Sequence, residues 1–130
     1  MNVYLSVPMI ANRALARAQV MAKAITDSGH AISSPWVLGP IEKRGPGAVD
    51  VFKRDTEAVE SSDAIVADVT EPSIGVGMEL MAAYKAKKKV VIVVKRGNAT
   101  STMLMNMGRK ITVEYSDEGE IYASLRKALA

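Results

Sequence analysis

The chain has 130 residues, of which 48% are hydrophobic and 24% charged, and it carries a net charge of +3 at pH 7. That length suits one domain over residues 1–130 with a core of its own, and the ordinary composition, free of linker or low-complexity tracts, excludes disorder. With no cysteine and one histidine, His30, a disulfide framework, a zinc centre and a Ser-His-Asp triad are all excluded, and no apolar run approaches the ~20 residues of a membrane span, so the chain reads as cytoplasmic, with no membrane partner, no metal and no cofactor, its chemistry left to carboxylates.

In chain order, Val3 to Ser6 reads as a first strand, and Ala11 to Ser28 as a helix stopped by Gly29. The loop between them, Ser6 to Arg13, is longer than packing requires. Its Asn12 and Arg13 suit either a helix cap and a solvated cation or a loop that grips substrate. His30 to Ser33 reads as a second strand, with His30 at the strand edge. A long irregular segment follows, Ser34 to Gly47, carrying the only tryptophan, Trp36, as a hydrophobic plug or a stacking surface for a base. Val49 to Ser62 fits an amphipathic helix with Asp55 on its polar side.

Ala64 to Ala67 is a short apolar strand, followed by a loop with Pro72 and a helix from about Gly77 to Lys87. This unit delivers two carboxylates, Asp68 at the strand end and Glu79 in the first part of the helix. Ser73, Gly75 and Gly77 just ahead of Glu79 form a seat for phosphate, since free amides at a helix start attract anions. The same field favours an ionised Glu79, the state of a nucleophile. Neither a Walker A loop nor a dinucleotide fingerprint fits this spacing. Lys85, Lys87, Lys88, Lys89, Lys95 and Arg96 read as a favourable helix C-terminus and a soluble surface, with no nucleic-acid polymer as partner.

Val90 to Val94 has the unbroken apolar character of a central parallel strand. A polar turn then leads to Met103 to Met107, as core filler or subunit contact, to a last strand at Lys110 to Tyr115, and to a terminal helix from Asp117 to Leu129. Five strands alternating with helices predict a three-layer α/β/α sandwich, flavodoxin- or Rossmann-like, with a five-stranded parallel sheet in the order 2-1-3-4-5. That order sets the Ser6 loop opposite the Asp68 to Glu79 loop across one crevice.

Tyr4, Asp55 ahead of Ser62-Asp-Ala-Ile-Val-Ala-Asp68, and Pro72-Ser-Ile-Gly-Val-Gly-Met-Glu-Leu80 together resemble the nucleoside 2-deoxyribosyltransferase superfamily, with the nearest likeness to the 2'-deoxynucleoside 5'-phosphate N-hydrolases. The likeness runs from about Val3 to the final helix. It implies that Glu79 attacks the anomeric carbon to give a covalent glycosyl intermediate, that Asp55 protonates the departing base or activates water, and that Tyr4 orients Glu79. For Asp68 it leaves open a catalytic role or a brace for the loop.

Ser73 in place of the aspartate typical of the nucleoside transferases implies a phosphate ligand, because a carboxylate there repels phosphate. Ser101 matches a serine that the phosphate hydrolases contribute from a neighbouring subunit, implying a homodimer with shared sites and Met103 at the seam. The resemblance departs at Ile10, where a phosphate-binding arginine is expected, leaving Arg13 as the loop's cation. It places Trp36 near the base. Hydrolysis of the N-glycosidic bond of (2'-deoxy)nucleoside 5'-monophosphates is thus the leading expectation, transfer of deoxyribose between bases an alternative, and a nucleotide-binding module without catalysis a second one.

Overall fold

The computed structural model describes residues 1–11 and 13–130. Asn12, an expected substrate contact, lies outside the described residues. Strands β1 (Asn2–Ser6), β2 (Ala31–Ile32), β3 (Ala64–Asp68), β4 (Lys89–Lys95) and β5 (Lys110–Tyr115) form one parallel sheet in the order β2-β1-β3-β4-β5. The helices are α1 (Leu15–Asp27), α2 (Val51–Ser61), α3 (Ile74–Lys85), the short α4 (Thr102–Met105) and α5 (Gly119–Ala128). Among the described residues no helix is long and apolar enough to cross a membrane.

Strand alternation sorts the layers. Val3, Leu5, Val66 and Val93 face Met21 and Ile25 of α1 and Ile121 and Leu125 of α5. Tyr4, Ile65, Ala67 and Ile92 face Val59 of α2 and Val76, Leu80 and Ala83 of α3. Both faces are therefore covered, and each large aliphatic side chain taken fully out of water contributes about 1.5–3 kcal/mol. Gly29 ends α1 in the left-handed region at φ 85°, with His30 N–H donating to Ile25 O at 3.2 Å, a turn that glycine makes without strain.

Two boundaries differ from expectation in ways that shape the site. The edge strand β2 is only two residues long, because Pro35 has no N–H to continue the ladder and Ser34 turns inward. Ser34 Oγ accepts from Leu5 N–H and donates to Leu5 O, both at 2.8 Å, so a side chain replaces the missing strand neighbour. The C-terminal end of β1 is left beside a 3-10 turn, Pro35–Leu38, which carries Trp36. The second difference is α3, which starts at Ile74 and not near Gly77. Ser73 caps it, accepting from Val76 N–H at 3.3 Å, and this local cap outweighs the cost of two glycines in the first turn.

On the α1 face, Arg17 and Asp68 form a buried ion pair at 2.7 Å. Arg17→Met leaves the Asp68 carboxylate, 1% exposed, without its cation. The expected loss is about 3–5 kcal/mol, read as a lower urea midpoint, and the double change Arg17→Met with Asp68→Leu restores most of it.

Candidate active site

β1 presents alternate residues to the α3 face, and two of them carry hydroxyls: Tyr4 and Ser6, both fully buried. α3 enters over the same face and turns Glu79 toward them. Tyr4 Oη donates to Glu79 Oε2 in a short hydrogen bond, and Ser6 Oγ donates to Oε1 at 2.7 Å. Both carboxylate oxygens are thereby fixed in direction. Burial pushes the Glu79 carboxyl up from an ordinary 4.5 to about 7; the Tyr4 and Ser6 hydrogen bonds pull it down, and Asp55 adds to the rise. The Tyr4 phenol is itself raised, by burial first and then by the Glu79 charge, so it stays protonated and remains a donor.

Asp55 comes from α2, and its charge helps to raise both the Glu79 carboxyl and the Tyr4 phenol. The arrangement is two carboxylates side by side, one gripped by two hydroxyls and the other held by Arg54. Such a pair suits nucleophilic attack and acid-base assistance at a glycosidic carbon.

The remaining expected residues divide. Ser73 caps α3 by accepting a hydrogen bond, which leaves its O–H free to donate. Gly75 and Gly77 lie exposed in the first turn at ordinary φ, and an added Cβ on either meets nothing within 4 Å. The fold does not demand glycine there; what the glycines provide is bare backbone beside the crevice. Trp36 stands edge-on to Tyr4, with ring centroids 6.3 Å apart, and the Arg54 guanidinium lies 4.2 Å over its ring. One indole face is therefore taken, so a base can meet Trp36 only on its other face or its edge.

Ile10 is 60% exposed in the first loop. Arg13 does not stand free for an anion: its guanidinium donates to Val37 O at 3.3 Å and, in a short contact, to Gly39 O. Asp68 is not brought to Glu79 either. It follows Ala64 and Val66 in the strand's alternation, faces α1, and binds Arg17 and the Thr70 N–H. Ser101 caps α4 by accepting from Leu104 N–H at 3.3 Å, and Met103 is 72% exposed. Both line an apolar groove of about 750 Å³ that also includes Ser73, Gly77 and Leu80 but not Glu79.

Two residues that sequence reasoning did not single out join the site. Arg54 Nε donates to Asp55 Oδ1 at 2.9 Å, and Arg54 NH1 to Glu42 Oε1 at 2.5 Å. Arg54 had a signal, its place beside Asp55 on the same helix. Glu42, in the Pro- and Gly-rich segment, had none.

No family model matches the chain. A provisionally named 2'-deoxynucleoside 5'-phosphate N-hydrolase 1 of Thermofilum pendens is 32% identical over 138 residues, spanning 99% of this chain and 95% of that protein. The 5-hydroxymethyl-dUMP N-hydrolase of Esox lucius is 36% identical over 95 residues, 69% of this chain and 66% of that one. Among solved structures, the CMP N-glycosidase BcmB of Clostridium botulinum superposes with a TM-score of 0.75 at 16% identity, covering 98% of this chain and 99% of its own. A 2-deoxyribosyltransferase of Bacillus psychrosaccharolyticus gives 0.67 at 20% identity, with 96% of each chain covered. At these identities the two structures establish a shared fold.

Proposed function

The chain belongs to the 2'-deoxynucleoside 5'-phosphate N-hydrolases, and from that premise we propose that it hydrolyses the N-glycosidic bond of (2'-deoxy)nucleoside 5'-monophosphates to free base and (deoxy)ribose 5-phosphate. The observation that carries this reading is Glu79, held by Tyr4 and Ser6 with Asp55 beside it. A Glu79 oxygen attacks C1' as the C1'–N bond breaks, and Asp55 delivers a proton to the leaving base. Asp55 then takes a proton from water, whose oxygen attacks C1' and releases Glu79, so the proton balance closes. The phosphate sits at the start of α3, on the Ser73 hydroxyl and the amides of Ile74 and Gly75, the Val76 and Gly77 N–H groups being taken up by Ser73. Arg13 is engaged elsewhere and Ile10 is apolar, so this helix start takes the larger share of the anion.

The protein works as a homodimer in the cytoplasm. Ser101 and Met103 line an apolar groove beside α3, and in the dimer they reach the crevice of the second copy. Ile74 at 86% exposed and Met78, Met81 and Met105 form the apolar surface that such a contact covers.

The test is product analysis with dGMP and with deoxyguanosine, each with and without a second free base. Base and deoxyribose 5-phosphate are expected from dGMP alone. Base released only from the nucleoside overturns the monophosphate as substrate, and a new nucleoside formed only with the acceptor replaces hydrolysis by transfer. Ser73→Asp sets a carboxylate against the phosphate and raises KM for dGMP by about tenfold or more, from a like-charge penalty above ~1.4 kcal/mol.

A further inference from the structure

Arg54 has three partners on three different segments. Its Nε holds Asp55 Oδ1 at 2.9 Å, its NH1 holds Glu42 Oε1 at 2.5 Å, and its guanidinium plane lies 4.2 Å over the Trp36 ring. Arg54 and Asp55 are on α2, Trp36 is on the 3-10 turn, and Glu42 is on the irregular segment between them. The side chain is half-buried, with 24% of its surface exposed. A surface cation solvated for solubility does not bind in this way; a planar fork that stacks on one face and hydrogen-bonds at its rim does.

The cluster also has unused polar capacity. Trp36 Nε1 and Glu42 Oε2 are buried and have no hydrogen-bond partner among the described residues. One donor and one acceptor of the cluster therefore lie unpaired beneath its surface, where a side-chain shift on ligand binding would bring them to a polar partner.

We propose that Arg54 is a positioning residue for glycosidic cleavage: it locks the acid-base carboxylate Asp55 to the Trp36 and Glu42 wall against which the base lies. The proposal rests on the hydrolase reading given above. Because Nε holds Oδ1, Asp55 has its Oδ2 left to meet the leaving nitrogen. The wall that receives the base and the group that protonates it then move as one body. Lysine is a poor substitute, since an ammonium has no plane to lie flat on the indole while fixed N–H groups at its rim reach two carboxylates.

The experiment compares wild type, Arg54→Lys, Arg54→Met and Arg54→Ala on dGMP, with the fluorescence of the sole tryptophan as a second readout. In Lys and Met variants kcat falls about 10- to 100-fold, the scale of a misplaced catalytic group, and the two fall alike because charge alone is not what is needed. In Arg54→Ala, added guanidinium ion at millimolar concentration restores kcat several-fold and returns Trp36 emission toward that of wild type, while sodium chloride does neither. Rescue also shows that the variant is folded. A wild-type protein that releases no base overturns the hydrolase reading and this inference with it. An active wild type with kcat unchanged in Arg54→Met, or with KM raised and kcat unchanged, overturns the inference alone: in the first case the residue is idle, in the second it binds substrate.

Discussion

Glu79→Gln abolishes base release, with kcat down by about 10⁴- to 10⁶-fold, the range seen when a covalent nucleophile is removed. The same change stabilises the protein above pH 7. The Glu79 carboxyl is raised from 4.5 to about 7, mainly because burial strips water from its charged form. A raised folded-state pKa means that the folded protein holds this proton more tightly than the unfolded chain. The stability it contributes is complete below about pH 4.5 and is lost as pH rises through about 7, on the order of 3 kcal/mol in all. Glutamine does not titrate, keeps acceptor and donor atoms near Tyr4 and Ser6, and escapes that loss. Urea unfolding at pH 5 and pH 8 should show Glu79→Gln gaining on wild type by ~2–3 kcal/mol between the two. An unchanged difference would mean that Glu79 is ionised at both.

Catalysis carries the opposite pH sign. The nucleophile must be ionised, so kcat/KM falls as pH drops below about 7. Tyr4→Phe removes a hydrogen bond that lowers the Glu79 pKa and moves this acid limb to higher pH. The site is built against stability, since the ionised form the reaction needs is the one the fold disfavours.

That charge state was beyond the reach of the sequence. A carboxylate near a helix start suggests an ionised group, but the helix field is worth about 0.3–1 kcal/mol at an exposed end, and burial on this scale is worth more. Sequence spacing places Glu79 on α3; it does not show that Tyr4 and Ser6 hold it in a buried position. The sheet order, by contrast, was legible, because five apolar strands alternating with helices leave few right-handed arrangements and Val90 to Val94 must be central. Alternation along β3 also held a signal about Asp68 that went unread. Ala64, Val66 and Asp68 share a parity, so Asp68 had to face α1, away from Glu79. The engagement of Arg13 had no such signal: its partners are the backbone carbonyls of Val37 and Gly39, which look alike in every sequence.

Asp55→Asn slows base release from dGMP by about 10²- to 10⁴-fold, the contribution of a positioned acid and base. Its effect depends on the leaving group, which separates it from Glu79. A base that leaves without needing a proton, such as 7-methylguanine with its positive ring, should still depart from Asp55→Asn at near wild-type rate, because attack by Glu79 does not involve Asp55's proton. Glu79→Gln cleaves neither substrate. The second half-reaction then stalls, since no carboxylate is left to take a proton from water. A burst of base should appear, followed by slow turnover, and the intact protein should gain the mass of one deoxyribosyl 5-phosphate unit on Glu79. Equal slowing on both leaving groups, with no burst and no adduct, would mean that Asp55 only shapes the crevice. The proton would then reach the base by another route, with the Tyr4 phenol unsuited to supply it because burial and the Glu79 charge hold that proton in place.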